Sequence, residues 1–257
     1  NASESGTQSV TFTIVDDEST PVITLAISTT SLAENSGTTV TLTATSSVAA
    51  ASDITVTLAT TGTGTDGTDY SAVNGTTITI TAGATTSTKT FTMTDDSVYE
   101  GNETAVVAIS GVSGASAVES GSQSVTFTIT ENESAPTITL ATSASSLAEN
   151  SSATVTLTAT TSSTSTLDIV VTLGVTGTAT EGTDYSAIDE TITITAGDTT
   201  GTKTFTMTDD SVYEGDETAI VAIASVTNAS ESGTQSVTTT ITENESSPTV
   251  QISSSAA

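Results

Sequence analysis

The chain has 257 residues, with 30 Asp or Glu against 2 Lys or Arg, a formal net charge of -28, and no His, Cys or Trp. That inventory removes the histidine base, the cysteine nucleophile, the disulfide staple and the Cys/His zinc site, so no enzyme is expected. Two lysines, Lys89 and Lys203, cannot grip a nucleic acid or an anionic membrane, and aromatics at 3% leave Val, Ile, Leu and Ala to build any core.

The first element in chain order is QSVTFTI at Gln8 to Ile14, whose apolar residues alternate with polar ones as in a half-buried strand. It returns at Gln123 to Ile129 and, as QSVTTTI, at Gln235 to Ile241, so residues 1–19 read as the last strand of a preceding repeat. Period-two alternation then predicts seven strands, near 22–28, 39–45, 53–59, 76–81, 88–94, 103–109 and 124–130. Thr dominates the outward positions, where a β-branched side chain suits the pleat and its hydroxyl meets water. Helical spacing is absent. No apolar run approaches the roughly 18 residues of a membrane span, and no basic start precedes an apolar stretch, so neither anchor nor signal peptide is expected.

The same series then starts again. SLAEN at Ser31 to Asn35 returns at Ser146 to Asn150, and GTDYSA at Gly67 to Ala72 returns at Gly182 to Ala187, each 115 residues on (146 − 31; 182 − 67). TKTFTMTDDSVYEG at Thr88 to Gly101 recurs at Thr202 to Gly215, 114 on (202 − 88), which places a one-residue deletion in a loop. The expected organisation is a first repeat over 20–133, a second over 134–245, and the first strand of a following repeat in 246–257. The fold class is all-β: tandem seven-stranded antiparallel immunoglobulin-like sandwiches, end to end in a rod.

Successive strands of such a sandwich end at opposite poles. Strand parity therefore sends Glu34, Asp66, Asp69, Asp95, Asp96, Glu100, Glu103, Glu131 and Glu133 to one pole of the first repeat, and only Asp53 and Glu119 to the other. The second repeat follows suit, with Asp168, Asp198 and Glu231 at or near the sparse pole. Carboxylates crowded without cations repel one another and raise each other's pKa, so a bound metal is the economical reading. All-oxygen donors on several loops favour calcium; a solvated acidic face is the plainer alternative.

An acid early in the unit, then GTDYSA, then TFTMTDDSVYEGNET, then an acidic exit after VTFTIT resembles the Calx-beta repeat over nearly the whole of both units. The resemblance implies calcium ligands at Glu34, Asp69, Asp95, Asp96, Glu100, Glu103, Glu131 and Glu133 in the first repeat. It implies Glu149, Asp184, Asp209, Asp210, Glu214, Glu217, Glu243 and Glu245 in the second. The exit departs from the family's Asp run, being Glu131-Asn132-Glu133 and Glu243-Asn244-Glu245, whereas Asp16 and Asp17 of the preceding repeat stay closer to it.

The function expected is a structural segment of an extracellular bacterial adhesin or biofilm matrix fibre, stiffened by calcium at inter-repeat junctions. Its partners would be neighbouring identical repeats or subunits of the same fibre, with cell-surface or matrix partners reached through other domains. A calcium-sensing module is the alternative, and a Thr-rich ice- or surface-binding protein a weaker one. The N-x-S/T triplets at Asn74, Asn102, Asn132, Asn150, Asn228 and Asn244 read as incidental in so Ser- and Thr-rich a chain. Tyr70, Tyr99, Tyr185 and Tyr213 read as packing posts beside the acidic loops.

Overall fold

The computed structural model describes residues 2–15 and 17–254. They fall into two compact units, Asn1–Thr94 with Thr104–Ile129, and Asp95–Glu103 with Thr130–Ala257. The segment Asp95–Glu103, part of the first repeat by sequence, thus belongs with the second unit.

The first set of strands is β1 (Val22–Ile27), β2 (Ser31–Ala33), β3 (Thr39–Ser46), β4 (Ile54–Gly62), β5 (Thr77–Ile80), β6 (Thr86–Thr92), β7 (Glu103–Ser113), β8 (Val118–Glu119) and β9 (Ser124–Thr130). The second set repeats it: β10 (Thr137–Thr142), β11 (Ser146–Ala148), β12 (Thr154–Thr161), β13 (Ile169–Gly177), β14 (Thr191–Ile194), β15 (Thr200–Thr206), β16 (Glu217–Thr227), β17 (Ser230–Glu231) and β18 (Ser236–Thr242). Each set forms a four-stranded and a five-stranded sheet, ordered β6-β3-β1-β8 with β2-β9-β7-β4-β5, and β15-β12-β10-β17 with β11-β18-β16-β13-β14.

All seven expected strands of the first repeat are present. Two more, β2 and β8, are too short for a period-two pattern to register. They matter to the topology, because after β1 the chain crosses to the other sheet as β2 and runs beside β9.

Alternation sets the cores. Along β3, Val40, Leu42 and Ala44 turn inward while Thr39 faces solvent. Ile54, Val56 and Leu58 of β4 meet them from the opposite sheet, and full burial of such side chains contributes about 1.5–3 kcal/mol each. In the first core Phe91 stands between Tyr70 and Phe127, with ring centroids 5.7 and 5.9 Å away. The second core keeps Tyr185 against Phe205 at 5.6 Å. Thr239 takes the third place there, buried, and its hydroxyl donates to Ala144 O at 3.0 Å.

Residues 2–15 and 246–254, expected to hold the last strand of a preceding repeat and the first of a following one, carry no strand in the structure. Val10, Phe12 and Ile14, which would face a core, are 94%, 80% and 83% exposed, and Val250 and Ile252 near the other end are 91% and 98% exposed. The same QSVTFTI sequence is a strand at β9, where neighbours accept its ladder bonds. A strand draws its stability from that pairing, and alternation alone does not supply it.

Candidate metal centre

Four elements of the second unit deliver acids to one rim. Glu149 opens the single 3-10 turn Glu149–Ser151 directly after β11 and is buried. Asp184 lies in the β13–β14 loop, where its Oδ2 accepts the Thr180 N–H at 2.6 Å, its own N–H donates to Thr180 O at 3.0 Å, and its carbonyl accepts the Thr208 N–H at 2.9 Å. Tyr185 anchors that loop by placing its ring in the core. Gly177 lets the chain enter it: φ is 128° there, and a Cβ would stand 2.0 Å from Thr218 O.

The acidic exit after β18 is built around one side chain. Glu243 Oε2 accepts the N–H groups of Glu214 and Gly215 at 2.6 and 2.8 Å, and Oε1 accepts those of Asn244 and Glu245, each at 2.8 Å. These donors hold the Glu243 pKa down at about 2. The Glu243 N–H in turn donates to Asp216 Oδ1 at 3.0 Å.

Two triads result. Glu149, Glu243 and Glu245 bring carboxylate oxygens within 4.8 Å of one another, and so do Asp184, Glu214 and Glu217. The triads feel each other. Burial raises the Glu149 pKa, with the charges of Glu243, Asp210 and Glu214 adding to it. Burial, a hydrogen bond with Asp184 and the charges of Asp184, Glu214 and Glu149 push Glu217 up to about 7. Glu214 is raised by burial and by Asp184, Asp210 and Glu243, and Glu245 by its contact with Glu243, by burial and by charges including Asp209. Buried Glu245 Oε2 has no hydrogen-bond partner. An unpartnered carboxylate oxygen in an oxygen-only cluster with raised pKa values fits a hard divalent cation of the calcium type.

Asp209 and Asp210 stand outside both triads. Their charges reach Glu245 and Glu149, but Asp210 Oδ1 is taken by the Val212 N–H at 2.6 Å, which fixes the turn.

In the first repeat, Glu34 and Asp69 belong to the first compact unit and are both buried. Asp69 Oδ2 accepts the Thr65 N–H at 2.5 Å, as its counterpart Asp184 does with Thr180. Asp95, Asp96, Glu100, Glu103, Glu131 and Glu133 belong to the second unit. Within it Glu131 Oε2 accepts the N–H groups of Glu100 and Gly101 at 2.6 and 2.7 Å, and Oε1 those of Asn132 and Glu133, each at 2.9 Å. Burial works to raise the Glu131 pKa, but the backbone donors outweigh it and the pKa is lowered. Contact with Glu131, burial and the charges of Glu131 and Asp95 raise Glu133, whose Oε2 is again buried without a partner. Asp96 repeats Asp210, its Oδ1 accepting the Val98 N–H at 2.7 Å.

Asp17 is exposed and joins no carboxylate cluster among the described residues, and Asp16 lies outside them. Acids of the sparse pole have another use: Asp53 and Asp168 each brace one turn, accepting the N–H of Ala82 and Ala196 at 2.8 Å. Sequence reasoning missed the braces of the acidic exit, Asp216 and Asn102, the latter accepting the Glu131 N–H at 3.0 Å. Their place six residues after the D-D pair (102 − 96; 216 − 210), directly after the glycine, was the available signal.

A model of the Calx-beta domain matches residues 16–133 and again 131–247. Comparison with curated proteins finds no match. Among solved structures, the CBD12 segment of CALX1.2 is 15% identical, with 86% of this chain and 100% of that one covered and a TM-score of 0.38. The adhesin InvE of Yersinia pseudotuberculosis is 16% identical, with 86% and 58% covered and a TM-score of 0.41. Invasin, a bacterial integrin-binding protein, is 17% identical, with 86% and 39% covered and a TM-score of 0.35.

Proposed function

Because the chain belongs to the Calx-beta domain family, we propose that it is a non-catalytic structural segment of an extracellular bacterial adhesin or matrix fibre, stiffened by calcium. The observation that carries this reading is the pair of abutting carboxylate triads, Glu149/Glu243/Glu245 and Asp184/Glu214/Glu217. Their donors come from four elements that are distant in sequence. A cation in the first triad would tie the turn after β11 to the exit of β18, and one in the second would tie the β13–β14 loop to the β15–β16 loop and the start of β16.

Calcium is plentiful outside cells and scarce in cytosol, so the chain would meet its stabilising ion on export. Binding only to the folded state stabilises by mass action, about 2.7 kcal/mol at a hundredfold excess over the dissociation constant. Differential scanning calorimetry in millimolar calcium and in EDTA tests the reading. The expected result is a higher melting temperature with calcium, and coincident curves would overturn it.

A further inference from the structure

A chain of hydrogen bonds inside the second compact unit runs from the β12–β13 loop to the acidic exit after β9. The Leu167 N–H donates to Ser165 Oγ at 3.0 Å, and the Ser165 hydroxyl donates to Tyr99 O at 2.9 Å. The Thr166 N–H adds a second bond to the same carbonyl at 3.2 Å. That carbonyl shares a rigid peptide plane with the Glu100 N–H, which donates to Glu131 Oε2 at 2.6 Å. One peptide unit is therefore held at both ends, by a neutral loop through its oxygen and by a carboxylate through its nitrogen. The charge-assisted bond at the carboxylate polarises the peptide and strengthens the bonds its oxygen accepts.

The loop is shaped for this contact. Ser165 is only 3% exposed, and its own carbonyl accepts the Gly197 N–H at 2.8 Å, which fixes the loop from behind. Leu167 Cδ1 lies over Gly101, 3.4 Å from where a Cβ would be, and the Gly101 N–H joins Glu100 on Glu131 Oε2 at 2.7 Å. The segment so held, Asp95–Glu103, carries Glu100 and Glu103, two of the ligands implied by the family resemblance. In the first repeat Ala50 takes the place of Ser165, and its carbonyl accepts the Gly83 N–H at the same 2.8 Å. The loop thus closes without a hydroxyl, so the hydroxyl of Ser165 serves the contact with Tyr99 rather than the loop.

We propose that Ser165 is a positioning residue for the Glu100 turn, setting its acids for a cation through the Tyr99–Glu100 peptide. The inference rests on the calcium reading above and adds to it a buried side chain that donates no ligand. Binding linkage makes the effect mutual: a cation that orders the turn also secures the β12–β13 loop, by the same factor.

Residue-resolved NMR of the full chain tests this, with Ser165→Ala as the variant because Ala50 shows that the loop accepts alanine. Circular dichroism melts confirm that it folds. In EDTA, amide exchange at Glu100 and Gly101 is expected to quicken at least about threefold, while Glu214 and Gly215, held alike by Glu243, exchange as in wild type. In a calcium titration the midpoint read at Gly101 is expected to rise at least about threefold, and that read at Gly215 to stay. Calcium is also expected to slow exchange at Thr166 and Leu167 of the wild type. Unchanged exchange at Glu100 and Gly101 in EDTA, a midpoint that moves equally at both glycines, or no calcium effect at Thr166 and Leu167 would each overturn the proposal. A wild type in which neither glycine responds to calcium sinks the calcium reading and this role with it. A response at Gly101 that Ser165→Ala leaves unmoved sinks this role alone.

Discussion

Glu243 holds the main-chain N–H of Glu214 on its carboxylate at 2.6 Å, so one acid fixes the backbone beneath another. The four N–H groups that converge on Glu243 keep it ionised well below neutral pH, while the carboxyls around it are driven the other way. Within a few residues the rim thus contains one acid that serves as a backbone cap and several that are left to contend with one another's charge.

Replacing the cap should release the loop before it unfolds the domain. Glu243→Ala is expected to speed amide hydrogen exchange at Glu214, Gly215, Asn244 and Glu245 by at least about tenfold, while β12 and β13 stay protected. Unchanged protection at Glu214 and Gly215 would mean the cap is dispensable.

Neutralising an acid that is not a cap should have a two-sided effect. Glu245→Gln removes one of the mutually repelling charges and the unpartnered buried oxygen. Its melting temperature in EDTA is expected to rise above wild type, and its calcium-induced increase to shrink. Calorimetry of the variant with and without calcium reads both. A parallel loss in both conditions would assign Glu245 a packing role only.

The pH dependence follows from Glu217. Burial first, then the hydrogen bond and charge of Asp184 and the charges of Glu214 and Glu149, raise its pKa from 4.5 to about 7. The folded chain therefore binds this proton more tightly than the unfolded chain, and the resulting stability is full below about 4.5 and lost as pH rises through about 7. In EDTA the melting temperature is expected to fall across that window, and Glu217→Gln to flatten the slope. Glu243 acts in the opposite sense at lower pH, its contribution being lost as pH falls towards about 2. A metal-free profile that rises between about 4.5 and 7 would contradict the assignment.

The two cores should respond differently to loss of their third aromatic position. Phe127 is fully buried against Phe91, so Phe127→Ala is expected to cost the first unit about 3–5 kcal/mol. Thr239→Ala removes one buried hydroxyl bonded to Ala144 O, and is expected to cost the second unit about 1 kcal/mol. Urea melts followed by unit-specific NMR signals separate the two, and equal losses would show that Thr239 packs as Phe127 does.

Much of this was legible in the sequence, for physical reasons that particular residues display. Val40, Leu42 and Ala44 alternate with Thr, and the structure buries all three. Tyr70 and Tyr185 are packing posts as expected, while Tyr213 is exposed. Strand parity groups the acids by expected pole, but parity cannot say which oxygens are already engaged. Asp96 and Asp210 match a ligand pattern, yet each spends an oxygen on the N–H two residues ahead. The strands β2 and β8 left no pattern to read, and residues 9–14 carry the alternation but no assigned strand.

One feature of the topology bears on how such a segment carries tension. In the second repeat β11 runs parallel to β18, with Leu147 opposite Ile241, and the Thr240 N–H donates to Ser145 O at 2.9 Å. A pull that separates the β10–β11 end of the repeat from the exit of β18 slides these two strands lengthwise past each other. Their hydrogen bonds then bear the load together in shear, whereas a hairpin opened from its free end surrenders them singly. In the proposed structural role, resistance to stretching would then depend on a three-residue strand.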